Sequence, residues 1–119
     1  MSVSILLINR SSPWSGLAAR EALDIALSGG AFDLPISMLW LDEGVWQLVG
    51  EQQPQQLEQK NLPAQLSALP MFGIEKLYVA QHSLEQRGLT EADLMLEVSV
   101  VDAGQIAQLI GQHQQVLSI

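Results

Sequence analysis

Asp42 and Glu43 are adjacent carboxylates directly after the apolar run Met38-Leu39-Trp40-Leu41. A carboxylate at a strand end can act as a general base or as a hard-metal ligand. The same pair before Gly44 also has the composition of a solvated turn, with acids favoured where a helical turn begins. His82 and His113 add two imidazoles, but without metal-ligand spacing, and isolated histidines are more often surface or core residues. Ser11-Ser12-Pro13-Trp14-Ser15-Gly16 places hydroxyls ahead of a helix, where helix-end amides can hold phosphate. That loop lacks a strict phosphate-binding pattern and Pro13 removes one donor, so turn and capping chemistry is the stronger reading. The chain contains no cysteine, which excludes disulfides, Cys-based metal sites and any thiol or persulfide chemistry of its own.

The elements that must position these residues alternate. Val3 to Asn9 is nearly continuously apolar, the pattern of a strand covered on both faces. A helix from about Gly16 to Ser28 follows, capped by Ser15 and stopped by Ser28-Gly29-Gly30, with Leu17, Ala18, Ala22, Leu23, Ala26 and Leu27 at helical spacing. Ile36 to Leu41 reads as the second strand, closed by Asp42-Glu43-Gly44, and Val45 to Val49 as one helical turn. Gly50 to Gln56 reads as a polar loop leading to a helix with Leu57 inside, and Pro63 fits the first turn of another helix that ends at Pro70. Glu75 to Ala80 is expected to be the third strand, followed by a short helix from Ser83 to Gln86 and a capped turn at Thr90 to Asp93. Met95 to Val101 is the expected fourth strand. Asp102 to Gln105 reads as a capping box for a helix closed by Gly111, and Gln115 to Ile119 as a fifth strand.

This alternation predicts one domain over residues 1–119, a three-layer α/β/α fold with a mainly parallel five-stranded sheet, flavodoxin-like or related. Ligands of such sheets bind outside the carboxyl ends of the strands. Arg10 to Gly16, Asp42 to Trp46, Ala80 to Ser83 and Val101 to Asp102 would form that rim.

A net charge of -8, from 13 acidic and 5 basic residues, disfavours a phosphate-contacting surface and direct nucleic-acid binding. No stretch approaches the roughly 18 apolar residues of a membrane span, and no basic segment with a signal-peptide core opens the chain, so a cytoplasmic protein is expected. With 48% hydrophobic and 15% charged residues, some apolar surface is expected to meet a partner. Trp14, Val45, Trp46, Leu48, Met71 and Phe72 are the candidates, since aromatics anchor interfaces as readily as cores. Trp40, inside a strand, is expected in the core.

Three segments carry a family resemblance: Arg20-Glu21-Ala22-Leu23-Asp24, Asp42-Glu43-Gly44-Val45-Trp46-Gln47-Leu48, and Ser83-Leu84-Glu85-Gln86-Arg87-Gly88-Leu89. With the collinear segments Ile5 to Leu27 and Leu39 to Leu48, they cover most of the chain. The sequence resembles the TusC/DsrF-like family, the small sulfur-relay subunits of the DsrE/DsrF/DsrH group. In that family the sulfur-accepting subunit is expected to place its cysteine near the end of the third strand, just before a short helix. Here that stretch reads Val79-Ala80-Gln81-His82. The resemblance therefore implies a non-catalytic subunit without cofactor in a TusBCD-like complex, beside a cysteine-bearing TusD-like subunit and a TusB-like subunit in a dimer of heterotrimers. Such a complex passes persulfide sulfur toward 2-thiolation of the tRNA wobble uridine, and the Dsr branch serves sulfur oxidation instead. Read without the resemblance, the residues leave open a small-molecule-binding flavodoxin-like protein, an enzyme using Asp42, Glu43 or His82 at the rim, or a homo-oligomer without a relay function.

Overall fold

Near-continuous apolar runs become the central strands of the sheet, and the polar-tipped runs become its edges. The computed structural model describes residues 3–14, 16–49 and 62–119, with the backbone path alone at 62–64. In chain order the elements are β1 (Ile5–Asn9), α1 (Ala18–Ala31), β2 (Ile36–Trp40), a 3-10 turn at Asp42–Leu48, α2 (Leu62–Ser67) and a second 3-10 turn at Leu69–Phe72. There follow β3 (Lys76–Ala80), α3 (Gln81–Gln86), a short turn at Glu91–Asp93, β4 (Ser99–Val101), α4 (Ala103–Gln112) and β5 (Gln115–Ser118).

The sheet order is β4-β3-β2-β1-β5 and every pairing is parallel. The expected three-layer fold with a parallel five-stranded sheet is present. Its strand order differs from the 2-1-3-4-5 order of flavodoxin, so it is the related arrangement. From β1 to β4 the chain steps across the sheet in one direction, and right-handed crossovers place α1, α2 and α3 on the same face. The return from β4 to β5 runs the other way and puts α4 on the opposite face. The cores follow that division. Leu7, Leu23, Met38, Trp40, Leu66, Leu77 and Leu84 belong to the larger cluster, and Leu6, Ile8, Leu39, Val101 and Leu109 to the smaller one under α4.

Several boundaries moved for identifiable reasons. α1 starts at Ala18 and runs through Gly29 and Gly30 to Ala31, so those glycines are packing residues and not the stop. A Cβ on Gly30 would lie 2.6 Å from the Phe72 carbonyl oxygen, and one on Gly29 would collide with the Ile36 side chain. The residue at the cap position of α1 is Leu17, without a side-chain cap bond; Ser15 lies outside the described residues, as do the Gly50–Gln56 loop and Leu57. Pro70 does not end α2, which stops at Ser67; it opens the 3-10 turn, where a missing N–H costs nothing. β4 is three residues long and begins at Ser99, because Met95 is drawn instead to the Leu48 carbonyl (2.8 Å). Gly111 lies within α4, which extends to Gln112.

Two caps form as read. Asp102 Oδ1 accepts from the Gln105 amide at 2.8 Å while Gln105 Oε1 accepts from the Asp102 amide at 2.9 Å, the reciprocal arrangement that satisfies two end donors. Asp93 Oδ2 likewise accepts from the Thr90 amide at 2.8 Å.

The two helical glycines of opposite surroundings give a test. Gly30→Ala should lower stability by roughly 2 kcal/mol, because a backbone carbonyl cannot yield as a side chain can. Gly111→Ala, where a Cβ would meet nothing within 4 Å, should raise it by about 0.5 kcal/mol through helix propensity. Urea unfolding of the two variants would measure both signs.

Candidate functional site

The carboxyl ends of β1, β2 and β3 meet at a rim built around the Asp42–Leu48 turn. Asp42 has φ 52, a left-handed conformation that aspartate tolerates better than most residues. Its backbone amide donates to Ser83 Oγ at 2.9 Å, and its carboxylate pairs with Arg10 Nε at 3.2 Å. Glu43 accepts from Arg87 Nε and Nη2 at 2.9 and 2.7 Å, while Arg87 Nη1 donates to the Ser83 carbonyl at 3.0 Å. Each rim acid is thus tied to an arginine, and α3 is tied to the turn through Ser83 and Arg87. The acids thus tie the rim elements together.

Beneath them the turn is anchored by a buried polar relay. Trp40 is fully buried, and its indole N–H donates to Gln47 Oε1 at 3.1 Å; Gln47 Nε2 in turn donates to the Ser11 carbonyl at 2.8 Å. The relay joins the end of β2, the rim turn and the loop after β1. Gly44 completes the fit, since a Cβ there would collide with the carbonyl of Asn9.

The expected interface residues divide. Trp14 is 53% exposed and its ring centroid lies 6.3 Å from that of the half-buried Trp46. Met71 and Phe72 are exposed, at 87% and 41%, at the other end of the strands. Val45 and Leu48 are corrections: both are buried in this chain's own core. In a 3-10 turn residues three apart eclipse, so both point inward together, where no partner can reach them. Trp40 lies in the core as expected.

His82 is exposed on the rim. His113 sits at the opposite end, before β5, with Nδ1 2.7 Å from the Leu109 carbonyl and Nε2 2.9 Å from Ser37 Oγ. A carbonyl can only accept, so Nδ1 donates to it, and in the neutral ring Nε2 accepts from the Ser37 hydroxyl. Among the described residues no group of three His, Asp or Glu side chains gathers as a metal site, and no helix is long and apolar enough to cross a membrane. At the end of β3 the chain presents Ala80, Gln81 and His82, so it has no thiol with which to carry a persulfide. Reading by residue type missed Gln47, Ser83, Arg10 and Arg87 as the rim's framework. The spacing of Ser83 and Arg87, one helical turn apart, was the available signal.

Gln47→Leu should therefore lower stability by about 2 kcal/mol, since it strands the Trp40 N–H and the Ser11 carbonyl in a buried place. Arg87→Ala gives up a pair with the largely solvated Glu43 and a bond to the Ser83 carbonyl, and should cost about 1 kcal/mol. Chemical unfolding monitored by tryptophan fluorescence would rank the two.

The DsrE/DsrF-like family model matches residues 3–119 of this chain. A TusC homolog of Pseudomonas aeruginosa is 55% identical over 100% of both chains. The intracellular sulfur oxidation protein DsrF of Allochromatium vinosum is 32% identical over 95% of this chain and 93% of its own length. In fold, the ychN protein of E. coli superposes with a TM-score of 0.83 over 100% of both chains at 16% identity. Matched over nearly its whole length by one family model and aligned end to end with a curated relative, the chain belongs to the DsrE/DsrF-like family.

Proposed function

We propose that this chain is a non-catalytic structural subunit of a TusBCD-like sulfur-relay complex, one that passes persulfide sulfur toward 2-thiolation of the tRNA wobble uridine. The observation that carries the reading is the absence of cysteine in a chain otherwise similar along its full length to a TusC homolog. A relay step needs a thiolate, because a persulfide is held through a sulfur–sulfur bond. In this reading the thiolate belongs to a TusD-like subunit, with a TusB-like subunit as third member of each half of a dimer of heterotrimers. The present chain positions and shields that thiolate and touches no RNA, in keeping with its net charge of -8. The tRNA branch is preferred because the relative aligned end to end with this chain at 55% identity is a TusC homolog.

A rim whose acids are already paired supports the same role. Asp42 and Glu43 are held by Arg10 and Arg87, which suits a scaffold better than a general base awaiting a substrate. The domain as a whole, residues 1–119, would act as one cytoplasmic building block.

Native mass spectrometry of the tagged chain, purified gently from its own cells, should recover two small homologous subunits, one with a cysteine at the end of its third strand. Removing the gene should lower 2-thiouridine in tRNA by more than about tenfold, and the restored chain should return it. Recovery of the chain alone with a saturable small ligand or an absorbing flavin, and unchanged 2-thiouridine, would reject the reading in favour of a small-molecule-binding protein.

A further inference from the structure

Among the described residues the two most exposed large apolar side chains lie far from the rim, where Leu17 and Trp14 stand at 63% and 53%. Phe32 and Met71 are 81% and 87% exposed, and Leu34 and Phe72 are 38% and 41% exposed. They share one place in the fold. Phe32 and Leu34 follow the last turn of α1 and lead into β2, while Met71 and Phe72 close the 3-10 turn that leads into β3. Both connections therefore lie at the amino ends of the strands. The missing Cβ of Gly30 brings them together, since a Cβ there would be 3.2 Å from the Phe72 Cβ.

These side chains stand on tightly bonded backbone. Phe32, Asp33 and Leu34 donate to the Gly29, Gly30 and Gly29 carbonyls at 3.1, 3.0 and 3.0 Å, and Met71 donates to the Ala68 carbonyl at 2.9 Å. Gly73, at φ 82, ends the second turn with its amide on the Pro70 carbonyl at 3.0 Å. The backbone that carries these groups is thus already ordered, so binding them does not require ordering of the chain beneath.

Charge selects the occupant. Asp33 stands exposed between Phe32 and Leu34, and the exposed Glu75 follows just beyond Phe72. Lys76, the nearest cation in sequence, pairs in register with Ser37 and lies on the strand positions of the opposite face, with Tyr78. A second copy would bring these acids toward their own kind and one charge of -8 against another, whereas a basic-rimmed partner is attracted.

We propose that the Phe32–Leu34 and Met71–Phe72 patch is the docking surface for a different chain of the same fold, whose contact surface is apolar at its centre and basic at its edge. This rests on the subunit reading above and adds where contact is made: at the amino ends of the strands, leaving the rim with Trp14 and His82 uncovered.

Met71→Ala and Phe32→Ala should each weaken binding of the cysteine-bearing homologous chain about tenfold or more, as anchors at an interface centre do. Asp33→Asn, which removes the charge and keeps a residue suited to the φ of 60 there, should weaken it a few-fold and flatten its salt dependence. The measurement is titration of purified wild-type and variant chains with that homologous chain at two salt concentrations, with native mass spectrometry of the products. Far-UV circular dichroism and urea midpoints should stay unchanged for Met71→Ala, whose side chain is nearly all solvent-exposed. Full-strength assembly of all three variants would overturn the patch while sparing the subunit reading. Wild-type chain that remains a monomer with every homologous chain of its cell would overturn both. Self-association of wild type, lost in Met71→Ala, would overturn the choice of a different chain.

Discussion

The indole N–H of Trp40 is the group around which the rim is organised. A side chain of that size at full burial supplies a large apolar contribution, but its one polar atom must find an acceptor away from water. Gln47 is that acceptor, and because its amide also donates to Ser11 it draws the Asp42–Leu48 turn down onto the ends of β1 and β2. Everything above inherits that placement. Gly44 is forced against Asn9, Asp42 and Glu43 are carried to where Arg10 and Arg87 meet them, and Val45 and Leu48 are turned into the core.

The layers are unequal for a reason of direction. Three steps across the sheet in the same sense build one thick face, and a single return builds the other, among the described residues, from α4. The thin face is served by Leu109 and the half-buried Ile106, and its outer strand β5 is exposed along its length. The thick face carries α1, and at the far end of α1 Gly30 lets the neighbouring turn approach at Phe72 while Gly29 makes room for Ile36. The rim is internally paired, and the opposite end of the strands displays Phe32 and Met71 to solvent.

Much of this was legible in order along the chain. Strand and helix sequence, the parallel class, the core place of Trp40 and the Asp102–Gln105 box follow from periodicity and local bonding, which depend on neighbours a few residues apart. The two glycines of α1 were misread, because the conformational cost of glycine in a helix is a local fact and the need for a bare Cα beside Ile36 and Phe72 is not. Val45 and Leu48 were misassigned for the same kind of reason. Their side depends on the turn being a 3-10 helix, and that follows from contacts with β1 and β3.

The amino-acid sequence by itself determined that no thiol chemistry can occur on this chain, since no fold can supply a missing sulfur atom. It also determined the alternation that makes a parallel sheet, since the two periods of 2 and 3.6 residues are written in the apolar pattern. The tertiary structure alone decided that the rim acids are clasped by Arg10 and Arg87, that His82 and His113 stand at opposite ends of the sheet, and that Gly30 of α1 lies against Phe72. Those pairings close over long separations along the chain, and such distances are set by how the layers pack and not by the spacing of residues within any one element.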